Sequence, residues 1–425
     1  MERTEIMKTG SGDAGKIHVA VIGGGASGMM AAITAARAGA AVTVLEHTDR
    51  VGKKILSTGN GKCNFSNRFM EAECFRSDTP AFPMQVIRSF DVDDTVSFFA
   101  GLGIVPAERN GYLYPASGQA ASVLDVLRHA MEREGVDVRT GITVQDIRKK
   151  QHQFRINCGE HTILCDRVIL AAGSKAAPKT GSDGSGYVLA EKLGHRVIPP
   201  LPALVQLRCR ENYYKSVAGV RTEASVSLYS IKGGKERLLA EDRGELQLTD
   251  YGISGIPVFQ ISRYASRILA EGGSVFCLLD FWPGTDAEAF RAQLSDRRRI
   301  LRDMPVSEFF TGWFNRKLGD LFLSLEGIDR KKPCGRMTDA EIKALARRIR
   351  AFRTEIAGTN SFDQCQVCAG GVDAGEIFPE RMESRLVPGL YFAGEIVDVD
   401  GICGGYNLQW AWSSGHAAGS CAARP

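Results

Sequence analysis

Short apolar runs separated by glycine-rich turns occur near both ends of the chain. Residues 17–22 (IHVAVI) form a nearly continuous apolar run, and residues 42–45 (VTVL) form a second one. An alanine-rich stretch of helical character lies between them. Runs this short and this uniformly apolar are typical of strands buried on both faces of a parallel sheet. The pattern predicts a strand–helix–strand unit in an α/β fold.

Three glycines mark the first turn of this unit. Gly23, Gly25 and Gly28 have G-x-G-x-x-G spacing, and Glu46 ends the second run, eighteen residues after Gly28. In such a turn the first glycine permits the tight bend, the second lets backbone N–H groups approach a pyrophosphate, and the third lets the helix pack on the sheet. The helix N-terminus favours the phosphate charge, and an acid in the position of Glu46 can bind a ribose diol. The turn predicts a dinucleotide site; the alternative is a glycine-rich turn in another α/β protein.

A polar loop follows at residues 50–67 (RVGKKILSTGNGKCNFSN). It holds three glycines, three asparagines, three lysines and one cysteine, with no long apolar run. Such a loop is either a solvated connection or a surface shaped around a polar ligand. Lysines suit phosphate charge, and glycines let backbone amides contact a flat ring.

The C-terminal segment, residues 389–419, favours FAD over NAD. An apolar run at 390–393 ends at Gly394 and Glu395, and a glycine loop then leads into a helix of small and aromatic residues. Simple NAD dehydrogenases do not need this segment. In two-dinucleotide-fold flavoproteins the acid binds the ribityl chain, and the helix N-terminus faces the N1/O2 edge of the flavin and stabilises the anionic reduced ring. Asn407, near the helix start, is predicted to contact the ring; the alternative is an ordinary helix-capping turn.

The middle of the chain has a different pattern. Short alternating strands begin near residue 195, and residues 285–353 are helical, charged and richer in Lys and Arg than in Asp and Glu. Solvated helix faces explain this excess better than an anionic partner does. The predicted organisation is a flexible tail (1–15), an FAD-binding domain (16–194 and 363–425), a β-rich substrate domain (195–284 and 354–362) and a helical insert (285–353).

Composition limits the function classes. The 425 residues are 44% apolar and 24% charged, with a net charge of +4, as expected for a soluble globular protein of two or three domains. This charge argues against a dedicated nucleic-acid binder. Eleven scattered cysteines and a start without an apolar signal core predict reduced thiols in the cytoplasm. No run is long enough to cross a membrane.

The motifs, taken in order, resemble the BaiN/YhiN-like FAD-dependent oxidoreductases, a family that includes proteins described as aminoacetone oxidases. The resemblance runs from Ile17 to Gly419 and rests on GGGASG (23–28), TGNGKCNFSN (58–67), YPASGQA (114–120), GSDGSGY (181–187), LTDYGISG (248–255), AGGV (369–372) and AGEIVDVDGICGGYNLQWAWSSG (393–415). It implies a two-dinucleotide-binding-domain flavoprotein with non-covalent FAD in a Rossmann-like domain, and it places the polar loop beside the cofactor.

The residues expected to bind FAD combine the glycine turn, the polar loop and the strand ends that follow. A strand at 135–148 is expected to carry Val144, whose backbone contacts adenine in such proteins. The set is Gly23, Gly25, Ala26, Ser27, Gly28, Glu46, Lys54, Ser57, Thr58, Gly59, Gly61, Lys62, Cys63, Asn64, Val144, Ala172, Gly173, Gly394, Glu395, Gly405, Asn407 and Leu408. Departures from the family pattern at Gly111, Cys368 and Gln206 touch the expected substrate side.

Three hypotheses for the reaction remain open. In the first, NAD(P)H visits transiently and reduces FAD, which passes a hydride from N5 to an activated C=C bond, such as a steroid or bile-acid enone. In the second, the protein is an amine oxidase that forms hydrogen peroxide. In the third, it is a flavin-dependent RNA-modifying or RNA-binding protein.

No catalytic acid or base is evident from the sequence. Tyr112, Tyr114 and Tyr406 are weak candidates, each of which is more simply explained by packing. Cys365 and Cys368 form an isolated C-x-x-C pair, for which neither a metal nor a redox dithiol is favoured, so no metal site is predicted.

Overall fold

The computed structural model describes residues 5–6 and 15–425. Most of the predicted tail, 1–15, therefore lies outside the described residues. The chain divides into two compact units, Met1–Leu201 with Gln366–Pro425 and Pro202–Cys365. The unit boundaries lie close to the predicted domain boundaries at 194/195 and 362/363.

The first unit contains a mainly parallel, seven-stranded sheet. Its strands, in spatial order, are Ile377–Phe378, Glu383–Ser384, Leu390–Phe392, Arg167–Leu170, His18–Ile22, Ala41–Leu45 and Asp137–Arg139. The last five pair in parallel, and the first two add antiparallel edge strands. The apolar runs of the sequence lie in these central strands, and Val19, Val44 and Leu170 are fully buried. The sequence pattern therefore predicted the centre of the sheet.

Helices cover this sheet, and two of them approach each other closely. The helices of the first unit are Ala26–Arg37, Phe82–Ile87, Val92–Gly101, Ala120–Arg133, Ser185–Lys192 and Tyr406–Ala422. Tyr406–Ala422 is called the terminal helix below. A Cβ atom added to Gly415 would lie 2.5 Å from the Ser27 carbonyl oxygen, and one added to Gly419 would lie 2.4 Å from the Ala31 oxygen. The small residues of the terminal helix thus let its backbone pack against the helix Ala26–Arg37.

Smaller sheets complete the first unit. A four-stranded sheet contains Glu5–Ile6, His161–Cys165, Gln153–Cys158 and Asp146–Lys150, and a three-stranded sheet contains Ser66–Asn67, Tyr112–Pro115 and Pro106–Arg109. Two strand pairs are Asp400–Gly401 with Phe75–Arg76, and Val367–Val372 with Val197–Ala203, a strand that continues past the unit boundary at Leu201.

Residues 135–148 were predicted to form a single strand, and this prediction was wrong, because two separate strands begin in this segment. Val144 lies between Asp137–Arg139 and Asp146–Lys150 in an irregular segment. The backbone N–H groups of Gly141 and Ile142 donate to the carbonyl oxygens of Thr48 and Glu46, both at 2.9 Å. The chain therefore turns across the end of the sheet instead of continuing as a strand.

The second unit is a closed six-stranded barrel with helices. The strands, in spatial order, are Leu207–Cys209, Gly252–Ser254, Lys235–Leu248, Arg221–Lys232, Ser274–Asp280 and Phe352–Thr359. The helices are Tyr214–Val217, Ile256–Ala270, Ala287–Ile300, Arg316–Leu325 and Asp339–Arg350. The helix Ile256–Ala270 was not predicted, although its buried Val258, Ile261 and Ala265 follow a helical period.

The charged helices of residues 285–353 share one apolar core with the barrel. Phe290, Phe322 and Leu345 are fully buried in the same cluster as Val226 and Phe352 of the barrel strands. Charged side chains lie on the outer faces, where several form ion pairs, such as Arg348 with Glu326 at 2.6 Å. Removing these helices would therefore expose the core of the barrel. No helix among the described residues is long and apolar enough to cross a membrane.

Candidate cofactor site

The glycine turn at residues 23–28 leaves a space that the protein does not fill. Gly23 has φ +100°, and a Cβ atom there would lie 2.4 Å from the Ala171 oxygen; a Cβ atom at Gly28 would lie 1.9 Å from the Gly23 oxygen. Gly25 differs, because a Cβ atom there would meet no atom within 4 Å. Gly23 and Gly28 thus pack the turn, while Gly25 opens a cradle at the N-terminus of the helix Ala26–Arg37. This is the arrangement that a pyrophosphate requires.

Glu46 is fixed at the end of its strand, beside this cradle. It is only 7% exposed. Its Oε2 accepts a hydrogen bond from the Gly24 N–H at 2.8 Å, and its Oε1 accepts one from the Thr48 N–H at 2.8 Å. A carboxylate has about four acceptor positions, and His47 Nδ1 also lies 3.4 Å from Oε1, so at least one position on Oε2 remains for a ribose hydroxyl.

The polar loop is a compact structure and not an open connection. Half of it forms an irregular 3₁₀ segment, Lys53–Gly61. Positive φ angles occur at Gly59, Asn60, Gly61 and Cys63. The hydroxyls of Ser57 and Thr58 donate to the Lys54 and Ile55 carbonyl oxygens within the loop. Ser57, Gly59, Gly61 and Lys62 are exposed, whereas Cys63 and Asn64 are buried.

An ion pair joins the polar loop to two strand ends. The Lys54 ammonium lies 2.6 Å from Glu395 Oε2, which also accepts from the Ser174 hydroxyl at 3.3 Å. Lys54 was predicted to meet phosphate charge, and Glu395 was predicted to meet the ribityl chain. In the structure each is bound to the other, so the pair fixes the loop against the carboxyl ends of the sheet.

The turns after those strands also need small residues. Gly173 has φ +71°, and a Cβ atom there would lie 2.8 Å from the Ser182 hydroxyl; Gly394 has φ +78°, and its added Cβ atom would lie 2.3 Å from the Ser27 hydroxyl. The glycine turn, which includes Ser27, therefore lies beside Ala172, Gly173 and Gly394, as expected for the carboxyl ends of parallel strands.

Asn64 provides a buried acceptor without a donor. Its Oδ1 is inaccessible to solvent and has no hydrogen-bond partner among the described residues. A Cβ atom on Gly405, which has φ +95°, would lie 2.9 Å from this oxygen. An unsatisfied buried acceptor is unfavourable by about 1–3 kcal/mol, so a ligand with an N–H donor would satisfy it. The flavin ring carries such a donor, and the Gly25 cradle suits its pyrophosphate; the site therefore fits FAD.

Comparison with known proteins identifies the family. Residues 17–421 match the family described as "HI0933-like protein Rossmann domain". The chain belongs to the HI0933-like family. This confirms the resemblance, the Rossmann-like FAD fold class and the prediction of an FAD-dependent oxidoreductase.

Three relatives align over nearly their whole length. The chain is 45% identical to the 3-dehydro-bile acid delta(4,6)-reductase of Clostridium scindens, over 96% of this chain and 99% of the relative. It is 29% identical to the ribosomal RNA dihydrouridine synthases of Escherichia coli and Haemophilus influenzae, over 93% of this chain and 96% of each relative.

In this HI0933-like chain, the three candidate tyrosines border the glycine loops of the site. A Cβ atom on Gly404 would lie 2.7 Å from Tyr112 and 3.2 Å from Tyr406, and one on Gly59 would lie 3.8 Å from Tyr114. Burial raises the pKa of Tyr114 and raises that of Tyr406 well above its usual range. Tyr112 is 37% exposed. The phenols of Tyr114 and Tyr406 therefore stay protonated at neutral pH and can donate hydrogen bonds.

Asn407 holds the loop that precedes the terminal helix. Its Oδ1 accepts from the Gly401 N–H at 2.8 Å, and its Nδ2 donates to the Gly401 oxygen at 3.0 Å. The side chain was predicted to contact the flavin ring; in the structure it fixes the backbone of the loop. Leu408, also predicted to bind FAD, is partly buried against the core of the first unit.

Sequence reasoning missed Gln409, which anchors the terminal helix. Its side chain is fully buried; Oε1 accepts from the Ser66 hydroxyl at 2.6 Å, and Nε2 donates to Thr95 and Ser413 hydroxyls at 2.9 and 3.0 Å. Apart from Ser413, its partners are distant in sequence, so no local pattern indicated this network.

Cys63, Cys365, Cys368 and His195 are buried, and His416 is partly buried. Desolvation raises the pKa of the Cys63 thiol to about 11. Cys365 and Cys368 are not disulfide-bonded, and no metal-binding cluster is present in the part of the chain that the structure describes. His195 contacts Glu376 and Ser384 at 3.0 and 2.8 Å, and His416 stacks on Phe90 at 4.2 Å. Burial lowers the pKa of both imidazoles.

Proposed function

We propose that this protein is an NAD(P)H-dependent reductase that saturates an activated C=C bond in a small enone of the steroid or bile-acid type. The observation that carries the proposal is the 45% identity, over 96% of the chain, to a 3-dehydro-bile acid delta(4,6)-reductase. The cytoplasm is its proposed compartment, and FAD is its proposed non-covalent cofactor.

The names of the relatives favour a reductase over an amine oxidase. One relative is a reductase of a bile acid, and the others form dihydrouridine in ribosomal RNA. Both kinds of product arise when hydrogen is added across a C=C bond next to a carbonyl group. An RNA substrate is the less supported alternative, because the relatives that act on RNA are only 29% identical and the chain's net charge is only +4.

The chain's own residues would hold the cofactor in a defined way. The glycine turn and the N-terminus of the helix Ala26–Arg37 would bind the pyrophosphate, and Glu46 would bind the ribose. The Asn64 acceptor would receive a hydrogen bond from the ring. When bound, FAD would supply the redox chemistry that links oxidation of NAD(P)H to reduction of the C=C bond.

The protein must also supply a proton. Reduction of an enone by hydride requires a proton at the neighbouring carbon, and a hydrogen bond to the carbonyl oxygen favours the reaction. Tyr112 and Tyr114 are the proposed donors, because they lie beside Gly404 and Gly59, and burial raises the pKa of the Tyr114 phenol. Tyr406 is less suited, because its hydroxyl is buried next to Cys74.

The proposal is tested by product analysis. The purified protein would be incubated without oxygen with NADH or NADPH and a 3-oxo bile acid carrying Δ4 or Δ4,6 double bonds; a product two mass units heavier is expected for each bond reduced. The matched control is the saturated 3-oxo bile acid, which should not react. Turnover of an aminoketone with oxygen and peroxide formation, but no enone reduction, would support the oxidase instead. Reduction of unmodified ribosomal RNA alone would favour the RNA alternative.

A further inference from the structure

A basic cleft of about 510 Å³ lies at the amino ends of the central strands. It is lined by Lys149, Arg167, Arg381, Glu383 and Arg424 around Tyr391. Arg167 begins the strand Arg167–Leu170, and Gly389 immediately precedes Leu390–Phe392. The carboxyl ends of these same strands lead to the candidate cofactor site. The basic cleft is therefore at the opposite edge of the sheet from the glycine turn and is a separate site.

The cations of the basic cleft outnumber its carboxylate. Lys149 comes from the strand Asp146–Lys150, Arg381 from the turn before Glu383, and Arg424 from the residues that follow the terminal helix. Of these cations and Arg167, only Arg381 has a carboxylate within 4.0 Å among the described residues, at 3.4 Å from Glu383 Oε2. The other Glu383 oxygen accepts from the Gly389 N–H at 2.9 Å. Positive charge in the basic cleft is therefore largely uncompensated.

The fold holds these like charges together. The Lys149 ammonium donates to the Pro388 oxygen and lies 5.5 Å from the centre of the Phe154 ring, and the Arg381 guanidinium lies 4.6 Å from the Phe378 ring centre. Burial and the nearby Arg167 lower the pKa of Lys149. A bound anion would relieve this repulsion.

We propose that the basic cleft binds a phosphate-bearing anion with at least two negative charges. Guanidinium groups match phosphate oxygens in geometry, and lysine adds a point charge. Tyr391 is the only Phe, Tyr or Trp among the described residues that line the cleft, and it is only 4% exposed. The exposed imidazole of His152 also lines the cleft, but the described lining residues offer a nucleobase no exposed Phe, Tyr or Trp face, so the cleft recognises chiefly the phosphate charge.

The test is calorimetric titration of inorganic pyrophosphate into FAD-saturated protein at constant ionic strength. Saturation with FAD keeps pyrophosphate out of the glycine turn. Constant ionic strength ensures that the heat signal reports specific binding and not a change in the screening of surface charges. The test variant is Lys149→Gln with Arg424→Gln. The control is Arg148→Gln, on the same strand, whose side chain is 82% exposed and paired with Asp146 at 2.6 Å.

Saturable binding to the wild type is expected, weakened at least about tenfold in the double variant and by less than about twofold in the control. Flavin content should be the same in all three proteins. If the double variant does not fold, Arg381→Gln alone must weaken binding, since Glu383 keeps its bond to Gly389. Absence of saturable binding to the wild type, or equal affinity in the folded variants, overturns the proposal, whatever the enzymatic activity.

Discussion

Replacing Gly25 by valine separates cofactor binding from folding. Gly25 has φ −76° and ψ −170°, which valine adopts easily, and an added Cβ atom would meet no protein atom within 4 Å. Valine at a helix N-cap is about 1 kcal/mol less favourable than a good cap, which shifts the melting temperature by about 2–4 °C at most. The apoprotein should therefore remain folded.

FAD binding should be lost in the same variant. The valine side chain would occupy the cradle where backbone N–H groups meet the pyrophosphate. Losing two hydrogen bonds to a charged group, at about 1.5–3 kcal/mol each, weakens binding on the order of 10²- to 10⁴-fold. Fluorescence titration of the apoprotein with FAD measures this affinity, and thermal unfolding without FAD measures stability.

Two matched glycines complete the experiment. Gly101→Val, at the exposed end of the helix Val92–Gly101, also adds a Cβ atom in open space and should change neither quantity. Gly28→Ala places a Cβ atom 1.9 Å from the Gly23 oxygen and should destabilise the fold itself. Wild-type FAD affinity in Gly25→Val would refute the placement of the pyrophosphate.

Three further predictions concern neighbouring groups. Glu46→Ala should weaken FAD binding by about 1–3 kcal/mol, because a charged acceptor for the ribose is lost; unchanged affinity in a fluorescence titration would count against a ribose at this position. Asn64→Ala should weaken FAD binding, and it should leave the stability of the apoprotein unchanged or higher because the unsatisfied oxygen disappears. Melting curves with and without FAD measure the two effects separately. A less stable apoprotein would contradict the assignment. Cys63, whose pKa is raised to about 11 by burial, should react with iodoacetamide faster as the pH rises toward that value; labelling near pH 8 at the rate of a free thiol would show that the thiol is not buried.

The parts of the fold that the sequence predicted are those with a local signal. The strands around Gly23 and Glu46 are buried on both faces, so they appear as apolar runs, and the turn between them requires glycine. The terminal helix could also be predicted from a local signal, because its close packing against the helix Ala26–Arg37 requires small residues.

The parts that the sequence did not predict depend on distant contacts. Val144 was placed on a single strand at 135–148, but hydrogen bonds to the carbonyl oxygens of Glu46 and Thr48 turn the chain there. Gln409 is defined by Ser66 and Thr95, more than 300 residues away. The charged helices at 285–353 were predicted as an insert, and only the structure shows that Phe290 and Leu345 complete the core of the barrel.

The pairing of Lys54 with Glu395 illustrates the same limit. Each residue was assigned separately to the cofactor from its own motif, and the motifs are 341 residues apart. Their contact follows from strand order, because the polar loop and the strand Leu390–Phe392 end at the same edge of the sheet. Residue type indicated a polar site, but the ion pair required the tertiary structure.

An anaerobic two-step spectrum of the purified protein tests the central proposal most directly. NADH or NADPH should bleach the flavin absorbance, and a 3-oxo-Δ4 or Δ4,6 bile acid should then restore it without oxygen. This sequence of changes is predicted for an enone reductase. If neither nicotinamide bleaches the flavin while a small aminoketone does, and hydrogen peroxide forms when air is admitted, the protein is an oxidase and the proposed direction of electron flow is wrong.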